Sequence, residues 1–560
     1  MRERSARTNW AASFTRDLTR SDAAAKLHRG GINVNDEPSP ARSRRHGDRW
    51  LFWGIVALAC WYVWAADTYT VFDDEAFSCL RYTMPTGEMV AALWNGAEPD
   101  PPLYYLIENL WVRFFGVAPF ALRGPSILFM LTGLILLHEA ARLWFDEAVA
   151  KWTFVVAALH PAHLFFGFAA RWYALMFCLV AALLCATARL AAPGGRTRTL
   201  AILWGLCAAA VCYTNYFGPV VVGLLWLASI WKSGDRRRWW LAAACAALLI
   251  APWTPPFWRQ LTAFPRAEFS PSAMLSIAAR TASALTTGNL ASPAAWWAWA
   301  PVETGSLIIA VLALRGEANT RRLMAVVAGT FLVGVASRTM IDKYVLCFSG
   351  PACAVAAATV RRSWYANGRV PARIATVMIA AGWLGCAVHW LTESYWSSMR
   401  WLDPFERVVR ECEDEPQTPP VGDWVVTHPS ARYYVACSFA IDPSRPWYVD
   451  PRTWRRYAAS PAGDNDGVAR PGPATPRSML ARIALRPPTL VLTVGTAGFA
   501  DDADWRRLEG ELNRFYDPVW DREFLDDPVA KWKNRLDPAF FHPTKRIGVR
   551  LWRRWDATPP

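Results

Sequence analysis

Eleven apolar runs crowd residues 51–392, near 51–66, 122–144, 150–168, 172–191, 199–213, 218–231, 239–254, 301–314, 323–337, 344–360 and 374–391. A chain patterned in this way is a polytopic α-helical membrane protein. Several runs are shorter than the roughly 20 residues of a straight span, so their bounds carry a margin of about four residues. The mean hydropathy of all 560 residues is only +0.11, because residues 1–50 and 393–560 are charged and rich in proline. This pattern excludes a disordered chain, a collagen, a small disulfide framework and an ordinary soluble enzyme. It also sets the organisation: a tail at 1–50, a membrane domain at 51–392 and a C-terminal domain at 393–560.

Charge orients the set. The first 50 residues carry eleven Arg and Lys against six Asp and Glu. With that tail in the cytoplasm, the inner loops hold Arg189, Arg196 and Arg198; Lys232 and Arg236 to Arg238; Arg315, Arg321 and Arg322; and Arg361, Arg362, Arg369 and Arg373. The short outer turns hold only Arg171, Arg338 and Lys343. That asymmetry obeys the positive-inside rule, and it accounts for the net charge of +14 without nucleic acid. The first run lacks a small-residue cleavage site and reads as an uncleaved signal anchor. Eleven spans put the C-terminus outside. The twelve cysteines include no CxxC pair, and most lie within apolar runs as small hydrophobes. An extracytoplasmic Cys412–Cys437 disulfide would be chemically permitted.

Residues 103–116, LYYLIENLWVRFFG, place apolar side chains at helical spacing, with Glu108, Asn109 and Arg113 on the other face. Counting this segment as a span would put the basic loops outside, so it reads as an outer interfacial helix. The long outer loops are then 67–121 and 255–300. In 393–560, strands are expected at Asp423–Thr427, Arg432–Phe439, Thr489–Val494 and Arg546–Trp552, with helices near 404–412 and 503–516. A breaker-rich stretch at 460–477 separates them, giving a small α/β or α+β domain.

Directly after the first span come Asp73, Asp74 and Glu75, in a segment whose net charge from Asp67 to Asp100 is −6. Adjacent carboxylates resist joint ionisation, so one of them suits a general base. They could instead hold a divalent cation, or simply be an acidic outer loop. Arg123, Arg171, Arg338 and Lys343 fall at the outer ends of spans, with Tyr173 and Tyr344 beside two of them. Carboxylates facing cations at one membrane surface suit a bound anion such as a lipid phosphate, although interfacial Arg and Tyr also anchor helix ends. His160 and His163, three apart, read either as metal ligands or as interhelical hydrogen-bonding groups. Trp296, Trp297 and Trp299 could stack on a sugar or sit at the membrane interface, and Thr214-Asn215-Tyr216 could contact a hydroxyl or satisfy helix ends.

The order Asp74-Glu75, Asp100-Pro101-Pro102-Leu103-Tyr104-Tyr105, Phe115-Gly116 and Ala121-Leu122-Arg123-Gly124-Pro125-Ser126, with Ala170-Arg171-Trp172-Tyr173-Ala174-Leu175 and Lys343-Tyr344, resembles membrane glycosyltransferases of the C-type fold. It is most similar to the bacterial branch of protein mannosyltransferases, aminoarabinose transferases and lipopolysaccharide-core galacturonosyltransferases. The resemblance covers roughly residues 50–360. It implies an inverting transfer of a monosaccharide from a polyprenyl monophosphate donor to an envelope lipid, polysaccharide or protein. It further implies a catalytic loop at 67–121 with Asp74 as base, Asp73 and Glu75 beside it, and Arg171, Tyr173, Lys343 and Tyr344 near the donor phosphate. Arg338 and Arg123 are the next candidates. Many relatives carry Arg where Lys343 stands and Leu where Gly124 stands, and a lysine lacks the bidentate fork.

The expectation is therefore a multi-pass glycosyltransferase of the inner membrane, N-terminus cytoplasmic and C-terminus outside, with a divalent cation as the one cofactor to consider. Its rival is a transporter or lipid-linked sugar flippase. Transporters tend to place ionisable groups at mid-membrane in repeated halves, and no such repeat is visible here.

Overall fold

The computed structural model describes residues 40–68, 73–96, 100–192, 197–231, 235–263, 270–288, 295–338, 342–365, 369–392, 424–427, 490–496, 503–524 and 547–555. The chain divides into two units, Met1–Ala57 and Leu58–Pro560. Helix α1 is Pro40–Thr68. After it come α2 (Asp73–Tyr82), α3 (Thr86–Trp94) and α4 (Leu103–Phe115). Then come α5 (Pro119–Trp144), α6 (Glu147–Leu159), α7 (Pro161–Phe166), α8 (Tyr173–Ala191), α9 (Thr197–Cys212), α10 (Gly218–Ile230) and α11 (Arg236–Ile250). Next are α12 (Thr254–Ala263) and α13 (Pro271–Thr287), and the apolar region ends with α14 (Trp296–Leu314), α15 (Ala318–Ser337), α16 (Ser349–Tyr365) and α17 (Arg369–Thr392).

The protein is a multi-pass membrane protein. Among the described residues, seven helical segments are long and apolar enough to cross a bilayer: Arg49–Ala66, Phe120–Trp144, Tyr173–Ala191, Arg236–Gln260, Trp296–Leu314, Ala318–Ser337 and Val370–His389. Arg198–Cys212 and Gly218–Ile230 are shorter apolar helices. Two of the expected runs differ from single spans. The run at 150–168 is broken between α6 and α7, because Pro161 cannot donate to the α6 ladder and instead opens α7. The run at 344–360 begins in a 3-10 helix, Asp342–Cys347, before α16.

Close helix pairing rests on small residues. On α5, Gly133 faces α8 so tightly that a Cβ would lie 2.6 Å from Phe177 Cδ1 and 3.0 Å from the Cys178 Cα. On α17, Gly382 faces α14, where a Cβ would lie 2.8 Å from the Ala298 carbonyl oxygen. In lipid, such backbone approach is a main source of helix association.

Helix α4 is where expected, and its two faces explain its position. Glu108 and Asn109 are buried, while Leu106, Leu110, Phe114 and Phe115 are exposed, Phe114 at 75%. The polar face is thus packed on protein and the apolar face is left for lipid. Asn109 Nδ2 donates to the carbonyls of Tyr82 (2.8 Å) and Met84 (2.7 Å), which fastens the C-terminal end of α2 to α4. On the far side, Trp111 Nε1 donates to the Ala121 carbonyl of α5 (2.8 Å).

The C-terminal domain contains a four-stranded sheet of β1 (Trp424–Thr427), β2 (Leu490–Thr496), β3 (Tyr516–Phe524) and β4 (Ile547–Arg554), in the order β1-β2-β4-β3. Strands β1 and β2 are parallel and the other pairs antiparallel. Helix α18 (Ala503–Leu512) packs through an Arg550–Glu509 pair at 3.1 Å. Three strands and α18 match the sequence reading. Strand β3 was not expected, since it carries Pro518 and four charges; it is an edge strand with a bulge between Pro518 and Trp520, which is where a proline is tolerated. The expected strand at Arg432–Phe439, the helix near 404–412, the breaker stretch and the Cys412–Cys437 pair lie outside the described residues.

Replacing Gly382 by alanine is expected to destabilise the protein by about 1–3 kcal/mol through overpacking. Gly223→Ala, whose new Cβ meets nothing within 4 Å, should leave the melting temperature in detergent unchanged or slightly raised. Equal melting temperatures for the two variants would contradict the α14–α17 contact.

Candidate functional site

Asp73, Asp74 and Glu75 are the first three residues of α2, where the partial positive charge of a helix N-terminus favours carboxylates. The side chains of Asp73 and Asp74 lie outside the described residues. Glu75 is buried. Its Oε1 accepts from Arg123 Nε (3.0 Å) and from the Ala170 backbone N–H (2.6 Å), and its Oε2 accepts from Arg123 Nη2 (2.7 Å). Arg123 sits in the second turn of α5 and also donates from Nη1 to the Ala66 carbonyl at the end of α1 (2.9 Å). One fork therefore ties α1, α2, α5 and the 167–172 segment together, with both charged partners almost wholly out of solvent.

That segment leads into α8 and carries Arg171. Arg171 Nη2 pairs with Asp100 Oδ2 at 2.8 Å, while Nη1 donates to Tyr105 OH (3.1 Å) and to Ser78 Oγ. Tyr82 OH donates to the Ala170 carbonyl (3.0 Å). The Asp100-Pro101-Pro102 turn is itself pinned, because the Leu103 N–H donates to the Tyr213 carbonyl (3.0 Å). Asp100 was assigned no role from the sequence, although it belongs to the quoted pattern. The available signal was an aspartate directly before Pro-Pro in an already acidic loop.

Next to Arg171, Tyr173 opens α8 and is buried. The Lys343 ammonium lies 5.9 Å from the Tyr173 ring centroid, a cation–π approach. Tyr344 stacks on Trp172 with centroids 5.6 Å apart and also contacts Phe217 at 5.2 Å. The 3-10 helix Asp342–Cys347 thus brings Lys343 and Tyr344 onto the start of α8, beside Arg171. Lys343 is half-buried, whereas Arg171 and Arg123 are buried. Arg338 caps the C-terminus of α15 in a left-handed conformation (φ 59°), a position usually taken by glycine. Of the nine side chains expected at the site, Glu75 and Arg123 form one buried pair, Tyr173, Lys343 and Tyr344 gather around Trp172, and the Arg171 side chain turns to Asp100, Tyr105 and Ser78. These groups meet through the Ala170–Arg171 backbone.

The secondary candidates are occupied by structural duties. His163 Nδ1 bonds the Ala157 carbonyl (2.7 Å) and Nε2 bonds Ser349 Oγ (2.8 Å). His160 Nε2 bonds the Leu285 carbonyl (2.7 Å), and its Nδ1 accepts from the Ala162 N–H (3.2 Å). The two Nδ1 atoms therefore close the α6–α7 break, and the two Nε2 atoms tie it to Leu285 of α13 and Ser349 of α16. Asn215 Oδ1 accepts from the Phe217 N–H (2.8 Å) and Thr214 bonds back to Ala210 (2.7 Å), so this turn satisfies its own helix ends, while Tyr216 OH bonds Gln260 on α12. Trp296 and Trp297 lie exposed in the first turn of α14. Burial foremost pushes the Cys79 thiol on α2 up to about 12, which leaves it inert as a nucleophile. Among the described residues, no group of three or more His, Cys, Asp and Glu is arranged for a metal ion. Glu75 and Asp100 are each held by an arginine.

Breaking the Glu75–Arg123 pair should be costly. Arg123→Ala strands a buried carboxylate and is expected to cost about 3–5 kcal/mol, read as a drop in melting temperature. Arg123→Lys should recover only part, since a lysine cannot serve Glu75 bidentately and reach Ala66 together. A melting temperature within experimental error of wild type for Arg123→Ala would refute the pair.

No protein-family model matches the chain, and no curated protein sequence matches it. Solved structures do. The chain is similar to ArnT from Cupriavidus metallidurans in the apo state, with a TM-score of 0.59 and 12% identity over 90% of this chain and 98% of that one. ArnT from the same organism bound to undecaprenyl phosphate gives a TM-score of 0.55 and 11% identity, over 89% and 98% of the two chains. The fold is accordingly that of the C-type membrane glycosyltransferases.

Proposed function

We propose that the protein is an inverting glycosyltransferase that moves a monosaccharide from a polyprenyl monophosphate donor to an envelope acceptor at the outer face of the inner membrane. The observation that carries this reading is the Glu75–Ala170 hydrogen bond. It fastens the carboxylate-bearing start of α2 to the segment that presents Arg171 and Tyr173, so a base and a set of cations are held within one small region. The likeness of the fold to ArnT supports it, and one of those structures is bound to undecaprenyl phosphate.

The chemistry requires few groups. The acceptor hydroxyl oxygen attacks the anomeric carbon, its proton passes to a carboxylate, and the carbon–oxygen bond to phosphate breaks with its electron pair going to the phosphate. The departing lipid phosphate gains one negative charge, which a fixed cation stabilises. No acid is needed for the leaving group, because a phosphate monoester is weakly basic. Glu75 has both oxygens committed to Arg123 and Ala170, which supports a positioning role for it and leaves Asp74 as the base, with Asp73 as the other candidate. Lys343 is the half-exposed cation, and we assign it to the donor phosphate. Arg171, engaged by Asp100, backs it, and Tyr173 and Tyr344 fix its approach. The basic inner loops support a cytoplasmic N-terminus and an external C-terminal domain.

The test is release of free polyprenyl phosphate by purified protein in lipid, given a panel of polyprenyl-phosphate sugars and an envelope acceptor extract. Asp74→Asn is expected to lower the rate about 10²–10⁴-fold. Lys343→Ala should lower it about 10²–10³-fold, with Lys343→Arg retaining most activity. Release that survives in both Asp74→Asn and Asp73→Asn would discard the base assignment, and no release from any donor by folded protein would discard the reaction.

A further inference from the structure

Behind the site, α4 carries a buried carboxyl that the reaction does not use. Glu108 has 0% exposure. Tyr104 OH lies 2.7 Å from Glu108 Oε1 and 2.8 Å from Ser126 Oγ on α5, and Ser126 Oγ lies 3.3 Å from the Arg171 carbonyl oxygen. Glu108 Oε2 is buried and meets no hydrogen-bond donor among the described residues, and no ion pair there includes Glu108.

Three contacts in this row need three protons. The Tyr104 and Ser126 hydroxyls supply one each. The carbonyl of Arg171 can only accept, so Ser126 donates to it, Tyr104 donates to Ser126, and the contact between Tyr104 and Glu108 takes its proton from the carboxyl. A carboxylate in the same place would force Tyr104 to donate backward and leave Ser126 one proton for two acceptors. It would also bury a charged Oε2 without a partner, which is far costlier than burying a neutral carbonyl oxygen.

We infer that Glu108 is held as a neutral acid and acts as a positioning residue, its proton completing a Glu108–Tyr104–Ser126 relay that fixes the Arg171 backbone. The charged and titratable groups on the surrounding elements fit this. Glu75 on α2 takes Arg123 of α5, and Asp100 takes Arg171, so each of these two arginines already has its carboxylate. Arg81, on α2, bonds Met84 Sδ at 3.8 Å. Cys79, Tyr82 and Tyr104 are neutral at physiological pH, each held above its ordinary range by burial first of all. Burial, aided by the Glu75 charge, pushes the Glu108 carboxyl up to about 8 even when Tyr104 is taken as donating to a carboxylate, and a carboxyl that donates to Tyr104 favours the neutral form further.

The sign of the pH effect follows. An unfolded chain releases this proton near the ordinary value of 4.5, and the folded protein keeps it to about 8. Between those values the folded state holds the extra proton, so its stability falls as pH rises through that window and levels off above it. In the folded protein itself, the relay reverses near pH 8.

The experiment is difference infrared spectroscopy and a melting-temperature series on the full-length protein in detergent, for wild type, Glu108→Gln and Tyr104→Phe. Wild type should show the C=O stretch of a buried protonated carboxyl that bleaches with a midpoint near pH 8. Glu108→Gln, whose amide donates to Tyr104 as the acid does, should lack that band and show a flatter stability slope between pH 4.5 and about 8. In Tyr104→Phe the band should persist at a higher frequency, which reads the relay even if the Gln variant folds poorly. The transfer assay should show an alkaline limb in wild type that Glu108→Gln lacks. Absence of the band in wild type, its persistence in Glu108→Gln, or identical stability slopes would overturn the inference. So would a folded Glu108→Gln protein inactive at every pH, because that would make the ionised carboxylate the working form. The first two readouts concern the protein alone and hold whether or not the proposed reaction is correct.

Discussion

The Arg123–Glu75 fork is the contact on which the candidate site depends. It is buried, so its desolvation cost is large, and it is worth keeping only because every strong acceptor and donor in it is used. Glu75 takes two guanidinium N–H groups and the Ala170 amide, and Arg123 spends its remaining arm on the end of α1. Four chain segments thereby acquire one geometry. A hydrophobic replacement could supply comparable packing, but it could not specify the register of α2 against the 167–172 segment. That register sets where the α2 carboxylates stand relative to Arg171 and Lys343.

The second pair, Arg171 with Asp100, works differently. Its partners come from the Asp100 turn, α2 and α4, so it reads the position of these elements together. Helix α4 is held from three sides: Asn109 on the end of α2, Trp111 on α5 and Leu103 on the Tyr213 turn. With Glu108 and Asn109 committed inward, α4 shows Leu106, Leu110, Phe114 and Phe115 outside, with Arg113 among them. The amphipathic pattern of this helix therefore serves the packing of the site as well as its apolar outer surface.

Much of this was legible in the sequence, and what was not has physical reasons. Apolar runs located the helices because helical period and lipid compatibility are local properties. The break at His160-Pro161 was also written locally, but the flanking apolar residues continued the pattern and masked it. Pairing was another matter. Asp100 and Arg171 are 71 residues apart, and nothing in either neighbourhood names the other. The carboxylates and cations could be grouped by membrane side from loop charge, yet which ones cancel one another depends on side-chain direction. Glu75 illustrates the cost: in the sequence it is an acid beside the expected base Asp74, and in the fold it is turned to an arginine. Strand β3 failed for a local reason, since Pro518 and its charges contradict a central strand and only its place at the sheet edge permits them.

The division of cation types follows from the same accounting. Guanidinium groups, with planar forks and weak hydration, occupy the buried pairs, where two parallel hydrogen bonds offset desolvation. The ammonium of Lys343 stands half-exposed against the Tyr173 ring. A lysine there keeps a compact charge that a neighbouring anion can approach from several directions, whereas an arginine would commit to one planar geometry. Arg123 and Arg171 are each paired with a carboxylate, and in the proposed reaction Lys343 is the cation that meets the donor phosphate. In that reading, a cation already placed against an aromatic ring needs little reorganisation when an anion's charge grows beside it, which is the condition under which a single cation stabilises a departing group most effectively.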